Sequence, residues 1–342
     1  MPTHYGRNNV QKGRLKVEID MKFAMKTLVV ASMMAAGIAN AATVTANAGS
    51  PIYVKDPAGS GRTAEITLLG TSGGKLTFSN FDEGVPYNPA DSNSIGGLIS
   101  ALNAGEITMV GTPGTTYVEG LSNDGTRASG SAAGKVTAVS ANDQTGQILT
   151  VLTPAGAIQT ASVKTGISSG GTASVGNLRI DLTNNTVYAD LVGTSKATTT
   201  KAATTVTLLG QALWTFASIT GPTSIKPSSL LAADPVAAMT LDGYTNVQKF
   251  TDARGDYYTG TAVNAITGLT LVGGSTGTAF NFFADSLGLL KNGKSALAGV
   301  SDWGRLDSAL NVQVREIPEP STYALMGLGL VGLAAVARRR AK

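Results

Sequence analysis

Leu178-Arg179-Ile180-Asp181-Leu182-Thr183-Asn184-Asn185-Thr186-Val187-Tyr188-Ala189-Asp190-Leu191 reads as two alternating strands joined at an asparagine pair. Asparagine tolerates positive φ, so Asn184-Asn185 fits a two-residue type I′ loop. With that loop Thr183 faces Thr186, and Leu182 pairs with Val187, Ile180 with Ala189 and Leu178 with Leu191 on an apolar face. Asp181 then meets Tyr188, and Arg179 meets Asp190, on the other face. Side chains alternate with a period of two, so a slip of one residue would set Asp against Leu. The hairpin points to an antiparallel sheet with one buried face.

Similar short runs surround it at 64–69, 75–79, 107–110, 135–140, 147–152, 157–162, 206–209, 213–219 and 265–272, separated by Gly, Asn, Asp and Pro. Helical spacing is confined to 95–103, 228–233 and 280–290, the last stopped by Asn292-Gly293. The 42 glycines and a charged fraction of only 14% fit a turn-rich β protein. The expected fold is mainly β: an antiparallel β-sandwich-like ectodomain with small helical insertions. The stretch 193–204, rich in Thr, Ser, Ala and Lys, reads as a linker between a β-rich unit at 42–192 and a second, with short helices, at 205–316. A loose self-similarity lies across it. Ile66-Thr67-Leu68-Leu69-Gly70 with Leu76-Thr77-Phe78 recurs as Val206-Thr207-Leu208-Leu209-Gly210 with Trp214-Thr215-Phe216.

The N-terminal side carries an export signature. Lys22 and Lys26 form a positive n-region after Met21, residues 28–38 an apolar core, and Ala39-Asn40-Ala41 a small-residue cleavage site, so the mature chain is expected to begin at Ala42. Residues 1–20 do not belong to such a signal and read as an upstream start. Ten of the 26 Lys and Arg lie outside 42–337, against two of the 22 Asp and Glu, which leaves that stretch at 16 against 20, net −4. The formal charge of +4 is therefore a property of the ends, and no basic stripe is left for nucleic acid. Cysteine is absent, so neither disulfides nor thiolate metal sites contribute to stability.

At the other end Pro318-Glu319-Pro320-Ser321-Thr322 precedes the apolar run Tyr323 to Ala337 and the basic cluster Arg338, Arg339, Arg340 and Lys342. The two prolines fix φ and exclude helix and central strand. As a helix the 15-residue run would reach about 22 Å, short of the roughly 30 Å hydrocarbon core. The basic cluster would stay cytoplasmic, leaving the ectodomain outside. Gly327, Gly329 and Gly332 suit packing against another membrane helix. This succession of triplet, short span and basic tail resembles the PEP-CTERM sorting domain of Gram-negative bacteria. The resemblance covers only 317–342. It implies recognition of Pro318, Glu319 and Pro320 by an exosortase, a membrane cysteine protease, with loss of the tail close by. It also implies a link to exopolysaccharide and biofilm.

The rest of the chain offers little chemistry. Its only histidine is His4, in the excluded leader, so no mature imidazole is available for a Ser-His-Asp or Cys-His site or for an ordinary zinc site. Paired carboxylates remain, with Asp242, Asp252, Asp256, Asp285, Asp302 and Asp307 as candidates for glycosidase-like work, and solvated turn carboxylates as the ordinary alternative. No catalytic residue, bound metal or cofactor is expected, except that Asn123-Asp124-Gly125 or Asp252-Ala253-Arg254-Gly255-Asp256 could hold a structural calcium ion. Tyr244, Tyr257, Tyr258, Phe282, Phe283 and Trp303 could stack on sugars or simply fill a core. The first expectation is an exported, non-enzymatic surface or matrix protein. The alternatives are a secreted carbohydrate-active hydrolase and a glycan- or small-ligand-binding module.

Overall fold

A computed structural model describes residues 42–55, 62–69, 74–81, 98–123, 125–230, 232–291, 294–295, 297–298, 300, 303–317, 328 and 330–331. The signal peptide with Ala39 and Ala41, the triplet Pro318-Glu319-Pro320, and Arg338, Arg339, Arg340 and Lys342 lie outside the described residues. Among the described residues no helix is long and apolar enough to cross a membrane. Leu328, Leu330 and Val331 are helical and exposed.

The chain is mainly β, in two nine-stranded antiparallel sheets. The first contains β1 (Thr43–Asn47), β5 (Ile107–Gly111), β8 (Ala138–Asn142), β9 (Ile148–Thr153) and β10 (Ala157–Lys164). It also contains β11 (Ser168–Asp181), β12 (Thr186–Ser195), β13 (Thr204–Thr215) and β17 (Thr270–Leu271). The second contains β2 (Pro51–Lys55), β3 (Thr63–Leu68), β4 (Gly74–Phe81), β6 (Thr116–Leu121) and β7 (Arg127–Lys135). It is completed by β14 (Ser218–Thr220), β15 (Thr245–Asp252), β16 (Gly255–Thr267) and β20 (Arg305–Ile317). A small pair, β18 (Leu290–Lys291) and β19 (Lys294–Ser295), stands apart. Inward residues of both sheets, among them Ile180, Leu191 and Leu213 from the first and Leu76, Leu306 and Leu310 from the second, join one hydrophobic core. The helices are few and short: α1 (Leu98–Ala104), α2 (Pro227–Leu230), α3 (Pro235–Leu241) and α4 (Thr278–Ser286). Asp234 starts α3, its carboxylate accepting from the Ala237 N–H at 3.1 Å with Pro235 in the first turn.

The hairpin at 178–191 forms with a different register. Asp181 pairs with Thr186, Ile180 with Val187 and Arg179 with Tyr188, so the loop is the four residues 182–185. Asp181 is the cause. Its carboxylate accepts from the N–H and Oγ1 of Thr183 (3.0 and 2.6 Å) and from the N–H and Nδ2 of Asn184 (3.3 and 3.2 Å), which winds a wider turn with Asn185 at φ 49°. A shift of two residues keeps every side chain on its face, so alternation alone cannot distinguish the two registers. Arg179 therefore lies over the Tyr188 ring at 4.0 Å and does not meet Asp190. A bulge between Gly176 and Arg179, with Asn177 at φ 51°, moves the register once more.

Residues 196–203 connect two paired strands of one sheet. Gly193, Thr194 and Ser195 end β12 and pair with Val206, Thr205 and Thr204 of β13. Strands from both sides of the stretch share each sheet, so the division into units at 42–192 and 205–316 does not follow the sheets. Nor do the two self-similar segments build equivalent units: 206–215 is one continuous strand, whereas β3 and β4 each pair separately with β20. Gly193 and Gly171 are where α4 seats on the inner face of the first sheet. A Cβ on Gly193 would stand 1.9 Å from Ser286 Oγ, and one on Gly171 (φ 147°) 2.0 Å from the Ser286 carbonyl.

Candidate functional site

The strand that matters most for the C-terminal tail is β20. Leu306, Ser308, Leu310, Val312 and Val314 alternate inward along it, and a serine in that apolar row masks a period-two signal that the sequence otherwise carries. β20 is central: β16 pairs along one side, and β4 then β3 along the other. Its last rungs set Arg315 against Glu65, Glu316 against Ala64 and Ile317 against Thr63. Pro318 follows directly, so the tail leaves from the end of an interior strand with no intervening segment.

That end is held by ion pairs. The buried Arg315 guanidinium donates through Nη1 to Asp252 Oδ1 at 2.7 Å and through Nη2 to Oδ2 at 2.5 Å, and it lies 5.2 Å from the Tyr257 ring centroid. Arg62 grips Glu316 in the same two-point fashion, Nε to Oε1 and Nη2 to Oε2 at 2.5 Å each. Buried Glu65 accepts from Arg254 Nη2 at 2.6 Å. The hydrogen bonds from Arg315, with the Arg254 N–H in support, hold the Asp252 carboxyl down at about 2.

The candidate carboxylates are spoken for separately. Asp242 binds Lys226 Nζ at 2.6 Å and the Ser229 hydroxyl, Asp256 binds Lys249 and Thr251 at 2.6 Å each, and Asp307 binds Arg305. Asp285 is exposed on α4, and Asp302 lies outside the described residues. The carboxyl of Asp256 is held below its usual value, first by the Lys249 hydrogen bond. Burial pushes Asp181 up, but the Thr183 and Asn184 hydrogen bonds prevail and leave it low. Among the described residues no three acidic or imidazole side chains converge as metal ligands. The turn at 252–256 is organised by Arg315 and by the Arg254 N–H on Asp252, and Asp124 of the other calcium candidate lies outside the described residues.

The aromatic residues do not form a single patch. Phe250 and Tyr257 stack near Arg315, with centroids 5.3 Å apart. Tyr244 is core, its hydroxyl donating to the Ser224 carbonyl at 3.0 Å, and burial pushes its pKa upward. Phe283 and Trp303 pack at 6.0 Å, and Phe78 stacks nearly parallel to Trp214 at 5.2 Å. These last two pairs wall a cavity of about 50 Å³ between the sheets. The small residues Ala132, Ala155, Gly156 and Ala157 share the lining with these rings. Two polar side chains also line it: buried Gln159, and Trp214, whose buried indole N–H finds no acceptor among the described residues. Both tryptophans of the chain thus belong to one cavity, which no spacing in the sequence announces.

The outer face of the first sheet carries a row of threonines. Thr108, Thr160, Thr172, Thr194 and Thr205 stand side by side on β5, β10, β11, β12 and β13, and the next row is Val110, Ile158, Ser174, Val192 and Thr207. None of the ten is charged. Four inter-strand steps of 4.7–4.9 Å make the row about 19 Å long. The Thr194 and Thr205 hydroxyls bond each other at 3.1 Å.

No curated protein and no solved structure matches the chain. The PEP-CTERM protein-sorting motif matches at residues 316–340, beginning in the last rungs of β20 and covering Pro318, Glu319 and Pro320. The chain therefore carries at its C-terminus the motif that marks an exported protein for sorting to the cell surface or extracellular space and for processing by an exosortase.

Proposed function

We propose that the protein is a non-enzymatic structural component of the cell surface or of an exopolysaccharide matrix, delivered by its sorting tail in connection with biofilm. The signal at 21–41 starts export and is removed after Ala41. Residues 323–337 hold the chain transiently in the inner membrane, with Arg338 to Lys342 inside, until the exosortase acts. The observation that carries this reading is the motif at 316–340 set directly against a central, ion-paired strand. A cut beyond Ile317 removes the membrane segment and leaves every rung of β20 in place. The uncharged threonine face supports the matrix association, since its hydroxyls and methyls suit a neutral sugar polymer. No cofactor is needed, and paired carboxylates are not assigned a reaction.

Altering Pro318, Glu319 and Pro320 together to Ala in the host, and following the protein through inner-membrane, surface, matrix and medium fractions, tests the assignment. The variant is expected to accumulate in the inner membrane at full length. Release of the variant at the wild-type level would overturn the sorting role. Wild-type protein that is processed yet absent from surface and matrix fractions would overturn the matrix role alone.

A further inference from the structure

The cavity between the sheets is lined almost entirely by carbon, yet two polar side chains, Trp214 and Gln159, belong to its wall, and the Trp214 indole N–H has no partner among the described residues. Trp214 is 5% exposed and Gln159 8% exposed. Of the other aromatic side chains in the wall, Phe78 and Phe283 have no hydrogen-bonding atom, and the Trp303 indole N–H donates to the Val300 carbonyl at 3.2 Å. A buried donor left without an acceptor is destabilising, and such groups are uncommon in folded proteins. Among the described residues only four buried side-chain polar atoms have no partner, and the Trp214 N–H is the one that belongs to a cavity wall. An apolar chamber with a few convergent polar groups is the usual form of a small-ligand site.

Size and polarity narrow the ligand. About 50 Å³ is room for about three to five waters, at roughly 10–15 Å³ of such space each, and about a third of a cavity of roughly 150 Å³ that accepts benzene. A whole sugar or a free aromatic ring is therefore too large, and a charged group would be left unpaired between the rings. What fits is a neutral group of a few non-hydrogen atoms with an apolar end and a hydrogen-bond acceptor. The carboxamide of Gln159 adds one acceptor and two donors, so a group that also carries an N–H is served on both sides.

We infer that this cavity is a binding site for an acetamido-type group, with the carbonyl oxygen accepting from Trp214 Nε1–H, the amide N–H donating to Gln159 Oε1 and the methyl against the aromatic rings. Phe78 and Met109 are the half-buried members of the wall, and the unbranched Met109 side chain is the part that yields as the group enters. The same chemistry occurs in a free small amide and in an N-acetylated sugar, whose acetamido arm would enter while the ring stays outside. This inference does not depend on the sorting tail or on matrix association.

The test uses protein released by its own host grown on ¹⁵N-ammonium. Two indole N–H signals are expected from the two tryptophans. Titration with acetamide should shift the Trp214 signal saturably, while glucose at equal concentration leaves it in place. Response to N-acetylglucosamine as well identifies the sugar-borne group; response to acetamide alone identifies the free amide. In Trp214→Phe, which retains a ring against Phe78, the rise in melting temperature produced by acetamide should require about tenfold more ligand, the loss of one hydrogen bond to a buried group. Gln159→Leu should weaken it comparably. A Trp214 signal that acetamide and N-acetylglucosamine do not move, a shift reproduced by glucose, or melting responses unchanged in both variants would each overturn the inference.

Discussion

Replacing Gly193 by alanine gives opposite signs under the two readings of residues 193–204. In a flexible linker the added methyl restricts the unfolded chain and stabilises by about 0.4–1 kcal/mol. In the folded chain Gly193 is paired with Val206 and faces α4. Its new Cβ would stand 1.9 Å from Ser286 Oγ, 2.5 Å from Ser286 Cβ and 2.9 Å from Phe282 Cε2. The hydroxyl can rotate away, but the Cβ and the ring cannot, so α4 must lift from the sheet. Overpacking of this kind costs about 1–3 kcal/mol. At roughly 2–4 °C per kcal/mol for a chain of this order, the expected fall in melting temperature is about 2–12 °C. Thermal unfolding of the released protein, followed by circular dichroism at fixed pH and salt, reads it directly. Gly176→Ala is the control, because its nearest neighbour is the Pro154 carbonyl at 4.0 Å, and it should be neutral. Ser286→Gly removes both close atoms of that residue and should recover part of the loss when combined with Gly193→Ala. A neutral or stabilising Gly193→Ala would refute the paired-strand reading and restore the linker.

Acid should loosen the C-terminal exit of β20. The Asp252 carboxyl titrates at about 2 in the folded chain and at its ordinary value near 3.9 when unfolded, so the unfolded state binds more protons between them. Stability from this pair is present above about pH 4 and is lost as pH falls towards 2. Melting temperatures over that range should fall less steeply for Asp252→Asn than for wild type. Asp181 and Asp256, also held low, keep the remaining slope. Asp181→Ala removes the four hydrogen bonds that wind the 182–185 loop and should destabilise by about 1–3 kcal/mol, read from the urea midpoint. Asp181→Asn, which retains an acceptor, should lose less.

At either end of the chain the meaning lies in the order of residues along it. Pro318-Glu319-Pro320, the span after them and the arginine cluster form an address that needs no fold to be read, and the positive flank, apolar run and Ala39-Asn40-Ala41 are proposed as a second of the same kind. The β class is equally local, since alternation and turn residues such as Asn184-Asn185 work within a few positions. Alternation has one blind spot, however: it fixes which face a side chain takes and not which partner it meets. The hairpin at 178–191 therefore kept its faces while its register moved by two, because the Asp181 side chain chose the turn. Composition misleads for a related reason. Thr, Ser and Ala at 193–204 look like a linker between units in isolation, but Gly193, Thr194, Ser195 and Thr204 are strand, and the eight residues between them only connect two neighbouring strands of one sheet.

Tertiary structure alone decided the rest. The central place of β20 depends on pairing with β16, β4 and β3 from distant parts of the chain, and only that pairing puts the sorting motif at the mouth of an interior strand. The ion pairs at the exit join Arg62 to Glu316 and Arg254 to Glu65, across separations no motif spans. Likewise Trp214 and Trp303 meet Phe78 and Gln159 only when two sheets close over one core. Covalent order was enough to address the protein, whereas its surfaces and cavity arise from contacts between residues that the sequence keeps far apart.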